Sequence, residues 1–373
     1  MRRLELSPIM PIMPSRGLDL RPDVPLRDFS TLGVGGPARY YLEAGDLGDV
    51  RTGLAWAEER KLPVLVLGGG SNVVIADEGF PGLVLHVRVR GTEAVEANGT
   101  VELRAGAGEE WDPLVRLAVE KGWAGIECLS GIPGRVGATP IQNVGAYGQD
   151  VSATISRVEA PDLTTGEVAT FTNAECRFAY RDSRFKREDR GRYLILAVTF
   201  RLEPGGAPSV RYAELERALA GSGKERPTVA DVREAVVTIR RRKSMVIDPG
   251  DPNRRSVGSF FMNPIVPEAT ATAIRDVLRA EGKPDTAEAM PGWPTGEGRI
   301  KLSAAWLIER AGLRRGYRKG NVAISTNHTL AIVNCGAGTA REVVELAREI
   351  RGRVRDRFGV TLEPEPVFVG ATL

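Results

Sequence analysis

The chain has 373 residues, 42% of them hydrophobic and 27% charged, with a formal net charge of only +3. That length supports two or three domains with ample core, and the composition is ordinary for a globular protein, which excludes a disordered or fibrous chain. No apolar run approaches the ~18 residues that span a bilayer, so no membrane partner is expected.

Met1-Arg2-Arg3 begins like a signal peptide, but Glu5, Pro8, Pro11 and Pro14 interrupt any apolar core. Residues 1–22 therefore read as a flexible tail, and the protein as cytoplasmic. Residues 23–90 read as a small α/β unit opening on the turn-rich Thr31-Leu32-Gly33-Val34-Gly35-Gly36. Asp46 can cap a helix running to about Lys61, with Val50, Leu54 and Ala57 on one face. A strand at Val64–Leu67 then opens into Gly68-Gly69-Gly70-Ser71-Asn72, followed by a strand at Val73–Ile75. A strand entering a glycine-rich turn is a familiar phosphate-binding device. The spacing is neither that of a Rossmann fold nor that of a P-loop, and a plain glycine hairpin accounts for the turn equally well. His86 lies on the polar side of the alternating strand Leu83, Leu85, Val87, Val89 and is expected at the surface.

Residues 91–243 form the next unit, with a helical stripe of Trp111, Leu114, Val115, Ala118 and Val119. The stretch Ser130 to Gly148 follows, with glycines at 131, 134, 137, 145 and 148 and prolines at 133 and 140. Inside a helix or strand each glycine costs about 1 kcal/mol against Ala. They suit tight turns whose free N–H groups hold a diphosphate. Gln142 and Asn143 add amides, and Tyr147 adds a ring to lie beside a planar group. A long structural loop is the alternative. Strands are expected at 153–160, 167–171 and 192–202, and a helix at 228–242. Residues 244–360 carry predicted helices at 267–281, 301–312 and 338–358 and strands at 321–325 and 329–333. The last helix shows Val343, Leu346, Ala347, Ile350, Val354 and Phe358 on one face. A final strand is expected at 360–363, entering the C-terminal segment 361–373.

Three scattered cysteines, Cys128, Cys176 and Cys335, exclude a disulfide framework and fit a reducing compartment. With two histidines in all, no metal site is expected. The basic clusters (Arg181, Arg184, Lys186, Arg187; Arg240, Arg241, Arg242, Lys243; Arg254, Arg255) lack aromatic interleaving, so no nucleic-acid partner is expected. Solvated helix faces explain most of them, and a multiply anionic small substrate can use a few.

In order along the chain stand Leu67-Gly68-Gly69-Gly70-Ser71-Asn72; Gly131-Ile132-Pro133-Gly134; Pro140-Ile141-Gln142-Asn143-Val144-Gly145-Ala146-Tyr147-Gly148; Cys176-Arg177-Phe178 with Tyr180-Arg181-Asp182-Ser183; Gly258-Ser259-Phe260-Phe261; and Leu362-Glu363-Pro364-Glu365. Each is weak alone. Together they resemble the UDP-N-acetylenolpyruvoylglucosamine reductase family, over nearly the whole chain after the tail. The resemblance implies an α+β protein: a two-domain FAD-binding module of the vanillyl-alcohol-oxidase/PCMH type plus a C-terminal α/β substrate-binding domain. It implies FAD as cofactor, NADPH as hydride donor, a UDP-sugar as substrate, and a monomer. FAD would be held by Gly68, Gly69, Gly70, Ser71, Asn72, Gly131, Ile132, Pro133, Gly134, Gly137, Ala138, Gln142, Asn143, Gly145, Ala146, Tyr147 and Gly148. Substrate contacts would come from Tyr180, Tyr212, Lys243, Asn263 and His328, Tyr212 being the capping tyrosine of the longer of the family's two subtypes. Two positions depart from the pattern: Pro366-Val367-Phe368 lacks the basic residue usual after Glu365, and Met262 replaces a common polar residue.

The implied catalytic set is Arg181, Ser259 and Glu365. Hydride addition to the terminal CH₂ of an enolpyruvyl ether puts negative charge on the next carbon, conjugated to its carboxylate. Arg181 can bind that carboxylate through two N–H groups, or simply make a structural ion pair with Asp182 or another acid. Glu365 lies between two prolines; buried beside the substrate it would be a neutral hydrogen-bond donor, and exposed it would be a solvated acid. Ser259 can protonate the carbanion, or merely cap a loop.

Overall fold

The computed structural model describes residues 2–4, 18–221 and 226–373. Two compact units emerge. The first takes Met1–Pro25, Pro37–Gly70 and Phe80–Ile247, and the second takes Leu26–Gly36, Ser71–Gly79 and Asp248–Leu373. Residues 26–36 and 71–79, read above as part of 23–90, thus belong with the C-terminal part, and 361–373 is not a segment apart. The cause is pairing at long range. Val73–Ile75 bonds in parallel to Val367–Val369, so the turn at 68–72 is not a hairpin. The final strand lies there and not at 360–363. The buried Asn334 side chain donates to the carbonyls of Leu32 and Gly33, both at 3.1 Å, drawing the 26–36 turns into the same unit.

The first unit holds two sheets. One runs Arg21–Pro25, Pro37–Ala44, Phe80–Val87, Val64–Leu67, parallel from the second strand onward. Helix Leu47–Glu59 accompanies it, and the Asp46 carboxylate accepts from Asp49 N at its start, as the sequence indicates. The other sheet is antiparallel and runs Arg2–Leu4, Thr92–Ala97, Thr100–Gly106, Ala197–Pro204, Ile155–Pro161, Val168–Thr172, with Trp123–Ala124 also on Ala197–Pro204. Arg2–Leu4 is therefore an edge strand where a flexible tail was expected; residues 5–17 of that tail lie outside the described residues. Helix Trp111–Glu120 buries its predicted stripe, and Trp111 packs at 5.5 Å on Phe200 while its Nε1–H donates to Leu129 O at 3.1 Å. Truncating such a buried, satisfied indole typically costs about 3–5 kcal/mol.

His86 corrects the sequence reading. It is buried, because Phe80–Val87 is an inner parallel strand covered on both faces, and there alternation does not mean exposure. Its Nδ1 lies 2.5 Å from the Tyr41 hydroxyl, which also donates to Glu43 at 3.0 Å. Burial, then the nearby Arg88, pushes the imidazole down to about 4.

The second unit is built on helix Ala340–Phe358, whose predicted apolar face is buried. Thr339 and Glu342 form a capping box, Gly359 ends the helix at φ +68°, and the Asp77 carboxylate accepts from the N–H groups of Ala340 and Arg341 at 2.8 and 3.0 Å. Two three-stranded antiparallel sheets accompany it: Ile265–Pro267, Arg299–Leu302, Gly292–Gly296, and Arg318–Lys319, Val322–Ile324, Ile332–Asn334. The first of these, like helix Ala213–Ala220 in the first unit, has no counterpart in the sequence reading.

Candidate active site

In the first unit the glycine stretch 130–148 is ordered from end to end. A 3-10 turn at Val136–Ala138 runs into one α-turn, Thr139–Gln142, which Asn143 ends in the left-handed region at φ +43°. The Asn143 side chain is almost fully buried and doubly committed: Nδ2 donates to Ala179 O at 2.8 Å and Oδ1 accepts from Ser152 N at 3.2 Å. Besides the cofactor contact expected of it, it acts as a brace.

What it braces is the turn Ala179-Tyr180-Arg181-Asp182, closed by Ala179 N to Asp182 O at 3.0 Å and the reverse bond at 3.1 Å. Arg181 sits at φ +55°, in a turn position where glycine or asparagine is favoured. A left-handed arginine costs about 1–3 kcal/mol and persists only where its surroundings over-determine it. They do so here. Ser183 Oγ donates to Ile141 O at 2.8 Å, and the Arg181 guanidinium donates to the carbonyls of Asn143 and Gly145. A Cβ on Gly145 would stand 3.0 Å from the Arg181 Nη1 and 2.7 Å from Asp150 Cβ. Asp182, one of the acids named as an alternative ion-pair partner for Arg181, pairs with Arg187 at 2.6 Å.

Tyr147 is also left-handed, at φ +51°, and burial pushes its hydroxyl up to about 12. Its ring meets Tyr212 edge-on at 5.5 Å. Tyr212 leads helix Ala213–Ala220, is partly exposed, and is raised by burial and then by Glu214. Lys243, at the end of helix Val229–Arg242, is bound to Glu214 at 2.5 Å, so a diphosphate there must compete with a carboxylate.

The remaining glycine positions show what they are shaped for. A Cβ on Gly69 would stand 2.9 Å from Gly134 Cα, so the two glycine turns approach backbone to backbone and leave a cradle that a side chain would fill. Gly131 N donates to Asp112 at 2.6 Å, and Arg233 grips the same carboxylate at 2.7 and 2.8 Å. Burial pushes that carboxyl up, but the bonds from Arg233 and Gly131 N and the charges of Arg233 and Arg116 together outweigh it, and the net shift is downward. Beside Gly131, Arg240 donates to Met245 O at 2.6 Å while its buried Nε has no partner among the described residues. A buried donor without an acceptor, next to a glycine cradle, fits a ligand rich in acceptors such as a flavin dinucleotide. Asp112 and Arg233 went unnoticed in the sequence, where each reads as one more helix-surface charge, and Arg240 stood out there only as one of a basic cluster.

In the second unit Ser259 and Glu365 are placed by backbone pairing. Phe261 bridges Pro364, Met262 N donates to Glu363 O at 3.0 Å, and Glu365 N donates to Phe260 O at 2.9 Å. Ser259 follows Gly258 at φ +75° and precedes the fully buried Phe260 and Phe261. Glu365 is half-buried, between the two alternatives the sequence leaves open, and its carbonyl accepts from Asn72 Nδ2 at 3.3 Å. Ser71 and Asn72 thus lie in this unit, apart from Gly68–Gly70 in sequence assignment. Asn263 Oδ1 accepts from Ala304 N at 3.0 Å, leaving its N–H₂ as the end it can offer a ligand. His328 Nδ1 accepts from Leu330 N at 3.1 Å, which fixes the ring plane. Among the described residues no cluster of three or more His, Cys, Asp or Glu gathers as for a metal, and no helix is long and apolar enough to cross a membrane.

Residues 38–172 match the model of an FAD binding domain, and residues 251–369 match that of the UDP-N-acetylenolpyruvoylglucosamine reductase C-terminal domain. With the glycine cradle of the first unit, these define an FAD-dependent oxidoreductase. The UDP-N-acetylenolpyruvoylglucosamine reductase of Thermobifida fusca is 47% identical over 94% of this chain and 98% of its own, and that of Streptomyces coelicolor 47% over 94% and 90%. The crystal structure of the Thermus caldophilus reductase covers 95% of this chain and 99% of its own at 25% identity, with a TM-score of 0.61. The chain belongs to the UDP-N-acetylenolpyruvoylglucosamine reductase family.

Proposed function

We propose that this enzyme uses NADPH, through FAD, to reduce UDP-N-acetylglucosamine enolpyruvate to UDP-N-acetylmuramate, a step of peptidoglycan precursor synthesis in the cytoplasm, and that it acts as a monomer. The observation that carries the reading is Arg181, held left-handed against the carbonyls of Asn143 and Gly145 in the very stretch suited to a flavin dinucleotide. Strain of that kind is retained where a side chain must point one way.

Bound FAD would supply the two-electron chemistry between NADPH and the enolpyruvyl double bond. Gly68–Gly70, Ile132 and Gly134 would hold the dinucleotide with backbone N–H groups, and Arg240 Nε would donate to it. Arg181 would hold the substrate carboxylate and stabilise the charge that spreads onto it. Ser259 would give its hydroxyl proton to the carbanion next to that carboxylate and regain one from water. Glu365 would donate a hydrogen bond to the enediolate oxygen. Tyr212, Lys243, Asn263 and His328 would position the UDP-sugar, with Tyr180 beside Arg181. The purified protein should be yellow, bleach with NADPH under anaerobic conditions, and regain colour there only when the enolpyruvyl UDP-sugar is added. A colourless protein, or one that bleaches and is not reoxidised by that substrate, overturns the reading.

A further inference from the structure

Glu127 is a fully buried carboxylate that meets no cation among its described partners. Its Oε2 accepts from Gly125 N at 2.7 Å, and its Oε1 accepts from Ser209 N at 2.7 Å and from Gln149 Nε2 at 3.2 Å. Burying a carboxylate costs several kcal/mol unless hydrogen bonds return it, and a set made only of amides returns it at one geometry alone. The neighbouring residue completes the tether. Cys128 N donates to Gln149 Oε1 at 2.9 Å, and Cys128 Sγ donates to Ser209 O at 3.1 Å. Burial pushes that thiol up to about 12, so it stays an S–H donor.

Ser209 is therefore held by both its N–H and its carbonyl, three residues before Tyr212. Gln149 is held at both ends of its amide, directly after Gly148. The two held segments face each other: a Cβ on Gly148 would lie 3.3 Å from Arg211 Cβ, and Tyr147 meets Tyr212 edge-on. We propose that Glu127 is a positioning residue that sets the spacing between the 145–149 turn and the segment bearing Tyr212, and through Tyr212 governs how tightly the UDP-sugar is bound. The proposal rests on Tyr212 being a substrate contact.

The test is a double-mutant cycle on the FAD-loaded enzyme, with loading checked by visible absorbance. Glu127→Gln replaces one carboxylate oxygen by an N–H₂ that faces a donor. It should raise KM for the enolpyruvyl UDP-sugar about tenfold, the usual scale for one spoiled buried hydrogen bond, and Tyr212→Ala should do likewise. In the double variant KM should lie within about twofold of Tyr212→Ala alone, because both changes act through one contact. A full tenfold effect of Glu127→Gln in the Tyr212→Ala background, or wild-type KM in Glu127→Gln alone, overturns the proposal. Wild-type KM in Tyr212→Ala removes instead the substrate role of Tyr212, and the coupling with it. Should Glu127→Gln not fold, Cys128→Ala deletes only the Sγ donor. A rise in KM of about twofold to threefold that vanishes in the Tyr212→Ala background is then expected, and an unchanged KM overturns the proposal.

Discussion

The two units hold their candidate residues by opposite means. In the first, Asn143, Tyr147 and Arg181 all have positive φ, and side chains clamp them to the backbone through Asn143 to Ala179 and Ser183 to Ile141. In the second, Ser259 and Glu365 are set by main-chain bonds between 260–262 and 363–365. The first arrangement stores strain and depends on particular side chains. The second depends on register, so its side chains can be changed with little effect on the frame. Substitutions at Ser259 should therefore report on chemistry, and those around Arg181 on chemistry and frame together.

The largest effect tests the second unit. Ser259→Ala should slow reoxidation of the flavin by substrate about 10²–10⁴-fold while NADPH-driven reduction stays near normal, as read by stopped-flow absorbance. If both half-reactions fall together, Ser259 holds the frame and the contrast between units is lost. Arg181→Lys should cost about 10²–10³ in kcat, because the planar fork that serves two oxygens is gone. Near-normal turnover would take Arg181 out of the chemistry and leave its strain without a purpose.

Smaller effects bear on the frame of the first unit. Native His86 refuses a proton until about pH 4, whereas the unfolded chain takes one below its ordinary value of 6.5. Stability is thus lost as pH falls across that window, by at most about 3–4 kcal/mol at 1.36 kcal/mol per unit. Urea melts should show this slope in the wild type and a flatter one in His86→Gln; identical slopes would mean that another group drives acid unfolding. Asn143→Ala should lower stability by about 1–3 kcal/mol, since it strands the Ala179 carbonyl and the Ser152 N–H. A melt unchanged from wild type would show that the turn carrying Arg181 does not need its brace.

Much of this was legible along the chain. The helices expected at 228–242 and 338–358 are observed as Val229–Arg242 and Ala340–Phe358, and the structure shows each opened by a capping box. The glycine runs pointed to tight turns shaped for a ligand, and in the structure Gly69 and Gly134 also approach each other backbone to backbone. Illegible were the features whose partners lie far off in sequence. Helix Ala213–Ala220 is short, with a stripe of only two fully buried leucines, and strand Gly292–Gly296 carries two glycines and a proline that read as loop.

The order of apolar and polar residues, the caps and the glycine-rich motifs were determined by the sequence itself, because they act within one turn or one strand of the residue that carries them. Three outcomes were decided only by tertiary structure: the pairing of Val73–Ile75 with Val367–Val369, the burial of His86, and the amide cage around Glu127. Alternation along a strand tells which face is apolar, but a second covering layer makes the other face interior too. A buried charge is likewise readable only from the donors that surround it, and those arrive from positions up to 82 residues away.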